Sequence, residues 1–487
     1  MPIPIRTIST AAAGLGISSV GYYYYQQKVE KVPTIPLPEP PKFHDSRPFK
    51  LLTPTEINNR LREGQRANRV NNQYIKAVYT SQVASNQPVE DTYSVNTFAG
   101  KLIAGVYDGH IGPHCSRMIK TQLPIYVARE LQSVESPNPA IVQDAISKGF
   151  VDLDQDIQQR FYDLFPKNLS RVTEKDIRDA VNHHPNPAAA DMYIKEAING
   201  SCACLVYLDG DDLYAANTGD SRVVVVSQKE DGTWSGRRLV EEESPANPEW
   251  RAHMIAQHPP AEAESIIKRN RIFGLIAVGG SFGDIMYKVP QQYQMRVLPF
   301  IPYETYSTFA HYHHRIVVNY HTPPYLSSKP LVSHHKLTKQ DKFVILGTDG
   351  LWDELSWDDV RSTNGDQVAA ELIATWKAKE ERNAATHMIR EALLFEAVYK
   401  NVRERVPVSD ETLELSKRLT RTPSRRYRDD ITVTVIELGN DAQPAVLEDV
   451  GPVTEPAEVA TDAPRLATPK SGSWFSGWFS GSRIYKL

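Results

Sequence analysis

Leu102-Ile103-Ala104-Gly105-Val106-Tyr107-Asp108-Gly109-His110 runs without a charge into an acid, a glycine and an imidazole. A short unbroken apolar run bounded by turn residues reads as a strand buried on both faces, and this one delivers a carboxylate at its end. Phe343-Val344-Ile345-Leu346 repeats the pattern ahead of Asp349-Gly350, and Asp429-Asp430 opens the alternating run Ile431-Thr432-Val433-Thr434-Val435-Ile436. Acids far apart in the chain therefore stand where strands begin or end. Mg²⁺ and Mn²⁺ take such carboxylates in preference to a His and Cys cage, so the pattern points to a hard-cation site and hydrolytic chemistry. His110, between Gly109 and Gly112, has a side chain suited to proton donation at the mouth of that site.

The 487 residues are 41% hydrophobic and 23% charged, an ordinary globular composition. A net charge of -4, with Lys and Arg spread along the chain, gives no basic stripe and excludes a nucleic-acid partner. Cys115, Cys202 and Cys204 cannot build a disulfide framework and lack zinc-site spacing. Cys202 and Cys204 are expected on the same side of one strand, as small apolar fillers.

From Thr7 to Gln27 no charged residue occurs, and Tyr22 to Tyr25 close the stretch. Residues 1–28 read as a targeting segment with a membrane anchor. Repeated proline from Pro33 to Pro41 makes 29–73 a linker and lead-in. Residues 74–438 form one large domain of alternating strands and helices. Within it Ile146, Phe150, Leu153, Ile157 and Phe161 keep helical spacing, and Asp152, Asp154 and Asp156 on that helix fail the calcium-loop pattern because Ile157 stands where glycine is needed. Gly200–Tyr207, Leu213–Asn217 and Arg222–Val226 read as an antiparallel meander. Residues 439–487 form a disordered acidic tail with an aromatic end. His311, His313 and His314 lack a convergent partner and read as a loop, and His334 and His335 are treated alike.

The ordered motifs Val89-Glu90-Asp91, Gly105-Val106-Tyr107-Asp108-Gly109-His110, Gly200-Ser201-Cys202-Ala203, Asn217-Thr218-Gly219-Asp220-Ser221-Arg222, Ser281-Phe282-Gly283-Asp284, Thr348-Asp349-Gly350-Leu351-Trp352-Asp353 and Arg428-Asp429-Asp430 resemble those of the metal-dependent protein phosphatase (PPM) family. The resemblance implies an α+β fold in which two central antiparallel β-sheets form a sandwich flanked by α-helices. It implies a serine/threonine phosphatase with two Mg²⁺ or Mn²⁺ ions per active site and a weaker third. In that reading Asp108 bridges both ions, Gly109 offers its carbonyl, Asp349 and Asp429 hold one ion, Glu90 and Asp91 orient waters, and Asp220 and Asp353 serve the third. A bridging water attacks phosphorus directly, with His110 as general acid.

Asn86-Gln87-Pro88-Val89-Glu90-Asp91, Lys229 to Ser235 and Tyr320-His321-Thr322-Pro323-Pro324-Tyr325 resemble the pyruvate dehydrogenase phosphatase branch. That implies a mitochondrial enzyme and a phosphoprotein substrate, the E1α subunit of the pyruvate dehydrogenase complex; with the N-terminal segment as an anchor, the enzyme is expected at the inner membrane. Asn86 stands where many relatives carry a phosphate-gripping Arg. Gly279-Gly280 replaces another Arg, and Glu241-Glu242-Glu243-Ser244, read as solvated surface, replaces an Asp-His pair. Those departures motivate a rival reading, a catalytically silent scaffold; a third is an active phosphatase for other organellar phosphoproteins. Tyr485-Lys486-Leu487 resembles a peroxisomal address with Tyr in its small-residue position, a weaker second localisation.

Overall fold

The computed structural model describes residues 47–70, 72–98, 100–134, 138–301, 313–356, 364–398, 410–426 and 428–439, with side chains undescribed at 396–398. The targeting segment, the proline spacer up to residue 46, His311 and the acidic tail fall outside them. Among the described residues no helix is long and apolar enough to cross a membrane.

Two antiparallel sheets carry the fold. The strands are β1 (Arg66–Asn68), β2 (Ile75–Val83), β3 (Thr92–Phe98), β4 (Lys101–Tyr107), β5 (Gly109–His110), β6 (Gly200–Ser201), β7 (Ala203–Asp209), β8 (Asp212–Thr218), β9 (Arg222–Gln228), β10 (Trp234–Arg238), β11 (Ile267–Lys268), β12 (Arg271–Ile272), β13 (Phe282–Gly283), β14 (Leu331–Lys336), β15 (Asp341–Gly347) and β16 (Ile431–Leu438). One sheet runs β1-β2-β16-β15-β9-β10 and the other β14-β8-β7-β4-β3; β13-β6-β5 forms a small third sheet beside them, and β11 pairs with β12.

Alternation explains why the decisive strands read as continuous apolar runs. Leu102, Ala104 and Val106 of β4 join Val344 and Leu346 of β15 in the core between the sheets. Ile103 and Tyr107 face outward onto helices α2 (His114–Gln132) and α3 (Pro139–Asp163), while Phe343 and Ile345 face helices on the other side. Both faces of each strand are therefore dry, and the expected helix-covered sandwich is the fold.

Three expectations are corrected. The lead-in before Tyr74 is partly structured: Thr53 and Glu56 form a reciprocal capping box at the start of helix α1 (Pro54–Arg62), and Ile57 and Leu61 enter the core. The meander breaks at Gly219-Asp220, because β7 and β8 lie in one sheet and β9 crosses to the other. Cys202 and Cys204 do not share a side; the chain leaves the β6 pairing at Cys202 before β7 begins, so Cys202 packs in the helix-side core and Cys204 between the sheets.

The acids of α3 have separate partners. Arg129 and Lys148 take Asp152, Tyr126 takes Asp156, and Asp154 is buried against Lys288 at 2.8 Å. Asp154 also accepts from the Gly283 amide at 3.0 Å, and Lys288 donates to the Ser281 carbonyl at 2.7 Å, so this pair ties α3 to the segment carrying Asp284. Lys288→Met should destabilise the protein by about 3–5 kcal/mol in a denaturant titration, since it leaves a buried carboxylate unpaired; a loss below about 1 kcal/mol would contradict the assignment.

Candidate metal centre

Each sheet contributes acids to one end of the sandwich. Asp108 follows β4 of the five-stranded sheet, and Asp349 follows β15 of the six-stranded sheet as the first residue of helix α4 (Asp349–Leu355). Asp220 sits at the corner where the chain changes sheets. Carboxylate oxygens of Asp108, Asp220 and Asp349 lie within 4.8 Å of one another. Asp220, expected to serve a weaker third ion, stands with Asp108 and Asp349 in one group of acids.

The Asp429-Asp430 pair is sorted by its hydrogen bonds. Asp430 Oδ1 accepts from the Ser85 and Asn86 amides, the latter at 2.8 Å, and its Oδ2 accepts from the Glu90 amide at 2.8 Å and Asn86 Nδ2 at 3.1 Å. Asp430 is consumed in holding the Ser85–Glu90 segment. Asp429 pairs with Arg425 and stays close enough to raise the pKa of Asp108 and Asp349. Asp353 lies one helical turn beyond Asp349 and is exposed.

Asp91 is buried and accepts from Thr348 Oγ1 at 2.8 Å, which links the Glu90-Asp91 segment to the residue before Asp349. Gly109 passes so close to that segment that a Cβ would lie 2.2 Å from the Glu90 carbonyl oxygen. Glycine is required there by space, and its backbone stays near the acids.

Burial and mutual repulsion dominate the electrostatics. Desolvation first, then Asp349, Asp91 and Asp220, hold the Asp108 carboxyl well above the usual carboxylate range; desolvation followed by Asp220 and Asp429 does the same to Asp349. Asp220 is pushed up to about 6 by burial and by Glu242. Asp108 Oδ2 and Asp349 Oδ1 are buried without a hydrogen-bond partner. Unpartnered carboxylate oxygens converging in a dry site are costly unless a cation joins them. The donor set, all oxygen and without a nearby nitrogen cage, fits Mg²⁺ or Mn²⁺.

His110 hydrogen-bonds through Nε2 to Asp284 Oδ2 at 2.7 Å, and Ser281 Oγ donates to the same oxygen at 2.6 Å. Burial alone pushes the imidazolium pKa down, but Asp284, with Asp220 and Glu90, outweighs it and holds it above the ordinary value. Asp284 is the residue that sequence reasoning left without a role. Its signal was present, an acid closing the Ser281–Asp284 motif, and its backbone is left-handed at φ 47°.

The departures from the family pattern fit one another. Glu243 is not solvated surface: its carboxyl is pushed up to about 7 by burial, and a Cβ on Gly280 would lie 2.3 Å from its Oε2. Glu242 pairs with Arg222 and, at 3.4 Å, with Arg238. Glu243 therefore packs against Gly280, so the two departures are neighbours in space and a larger residue at 280 would collide with the Glu243 carboxyl. His334 and His335 pair with Asp212 and Asp341, and His313 with Gln294, all away from this site.

Residues 101–395 match the family described as protein phosphatase 2C. The chain is 29% identical over 468 residues to human pyruvate dehydrogenase (acetyl-transferring) phosphatase 1, mitochondrial, covering 81% of this chain and 85% of that protein. Human phosphatase 2 of the same description is 27% identical, covering 80% and 84%. Protein phosphatase 2C homolog C10F6.17c of Schizosaccharomyces pombe is 27% identical, covering 87% and 94%.

Proposed function

Because the chain belongs to the protein phosphatase 2C family and is a protein serine/threonine phosphatase, we propose that it works through Mg²⁺ or Mn²⁺ held by Asp108, Asp220, Asp349 and Asp429, on phosphoserine and phosphothreonine of mitochondrial phosphoproteins. One observation carries the metal: two buried carboxylate oxygens, one delivered by each sheet, converge without a partner. When bound, the cation lowers the pKa of water and offsets the charge of phosphoryl oxygens.

The protein's own residues do the rest. Asp108 brings the acids of the two sheets together, Gly109 gives its backbone to the same edge, and Glu90 and Asp91 supply further acceptors for ordered water. Asp353 stands at the rim for a weaker third ion. His110 donates a proton to the departing serine or threonine oxygen, and Asp284 fixes the ring through Nε2 and favours its protonated form. The pyruvate dehydrogenase E1α subunit is the substrate suggested by the relatives, whose names also favour the mitochondrion. Release of phosphate from an E1α phosphopeptide by the purified chain, with and without Mn²⁺, tests the reading directly.

A general acid must be protonated to act, so activity falls as pH rises through the His110 pKa. Asp284→Asn removes the charge that holds this value up. The alkaline limb of the kcat profile should move to lower pH, with kcat at pH 8 reduced roughly 10- to 100-fold. An unmoved limb would exclude the Asp284-His110 pair from proton transfer.

A further inference from the structure

A phosphomonoester carries two negative charges into a site already crowded with acids, so a basic side chain at the rim would add to what a bound cation offsets. Asn86 cannot serve, because its Nδ2 and its amide are both committed to Asp430. Arg428 is buried, donating to the carbonyls of Val83, Ala84 and Asp429, and Arg222 is spent on Glu242 and Asp366. Arg425 differs. It lies in the single-turn helix Ser424–Arg426, its side chain is 55% exposed, and Nη1 pairs with Asp429 Oδ2. It is thus an exposed guanidinium in direct contact with one acid of the site, and close enough to Asp353 to favour that carboxylate's charged form. The arginine is more than half exposed although Asp429 is only 17% exposed, so a cation that takes over Asp429 leaves the guanidinium at the surface and available to phosphate.

We infer that Arg425 is the residue that grips the substrate's phosphate: once Asp429 is engaged by a divalent cation, the guanidinium turns to the non-bridging oxygens of the phosphomonoester. This rests on the phosphatase reading above. It assigns to the segment before Asp429 the work expected of position 86.

The test uses the full chain as wild type, Arg425→Gln and Arg425→Lys. Calorimetric titration first with Mn²⁺, then with inorganic phosphate on the Mn²⁺-loaded protein, is paired with kinetics on a phosphoserine peptide. Arg425→Gln should weaken phosphate about tenfold and raise KM by a similar factor, while Mn²⁺ binds as tightly or a few-fold more tightly because a competing cation has left Asp429. Arg425→Lys should fall between, keeping the charge but losing the planar fork. Unchanged phosphate affinity in Arg425→Gln overturns the inference. Phosphate and Mn²⁺ weakening together, the mark of a structural role, also overturns it. Phosphate binding is read without turnover: a wild type that binds phosphate through Arg425 but hydrolyses nothing would defeat the enzyme reading alone, and an active wild type with an indifferent Arg425→Gln would defeat this one alone.

Discussion

Asp108→Asn lowers phosphatase turnover by at least about 10³-fold, yet the metal-free variant is more stable than the metal-free wild type at pH 7. The first effect follows from the charge that Asp108 would bring to a bound cation: loss of about 4 kcal/mol of transition-state stabilisation corresponds to roughly that factor. The second follows from the site itself. Burial and four neighbouring acids hold the Asp108 carboxyl well above its usual range, so its ionised form is a liability without a cation, and Asn is a neutral replacement of similar size. Turnover on a phosphopeptide, and melting temperature in EDTA and in Mn²⁺, read both effects. A variant that retains turnover, or gains as much melting temperature from Mn²⁺ as wild type does, would remove Asp108 from the centre.

Chelation should abolish turnover, and the stability of the chelated protein should fall as pH rises from about 4 to about 7. In the unfolded chain these acids titrate near 3.9. In the fold Asp220 is pushed up to about 6, and Asp108 and Asp349 are raised as well. Between those values the folded state binds more protons than the unfolded state, so stability is fully present below about pH 4 and is lost as pH climbs through the folded pKa values. At about 1.4 kcal/mol per unit, Asp220 alone accounts for a few kcal/mol. Mn²⁺ must displace the same protons, so its affinity should rise over the same window. Melting curves from pH 4.5 to 7.5, in EDTA and in Mn²⁺, check the sign; a metal-free melting temperature that rises with pH would contradict it.

Much of this is legible in the amino-acid sequence. The apolar runs ending in Asp108 and Asp349 reveal strands dry on both sides, and the order of seven motifs fixes the sandwich. Thr53-Pro54-Thr55-Glu56 also carries the signature of a helix start, but it follows a proline-rich stretch whose composition favours extended chain. The sheet change at Gly219-Asp220 had no local signal, since a tight turn between two apolar strands looks the same whether they pair or part. That is why the closeness of Asp220 to Asp108 and Asp349 could not be read from the chain. The roles of Arg425 and Glu243 were hidden for a related reason: one depends on where Asp429 points, the other on the empty volume above Gly280.

The sandwich core has a second use. Asp108 and Asp349 belong to different sheets, joined through Val106, Ala104, Val344 and Leu346, and Mg²⁺ tolerates little departure from oxygen distances near 2.1 Å. A slip of one sheet by a single residue, about 3.3 Å, would pull the two carboxylates out of common reach. The greasy interior is thus a gauge block for the chemistry: the sheets must be in true alignment before a cation can be held, so competence to bind metal certifies that the whole domain has been assembled correctly.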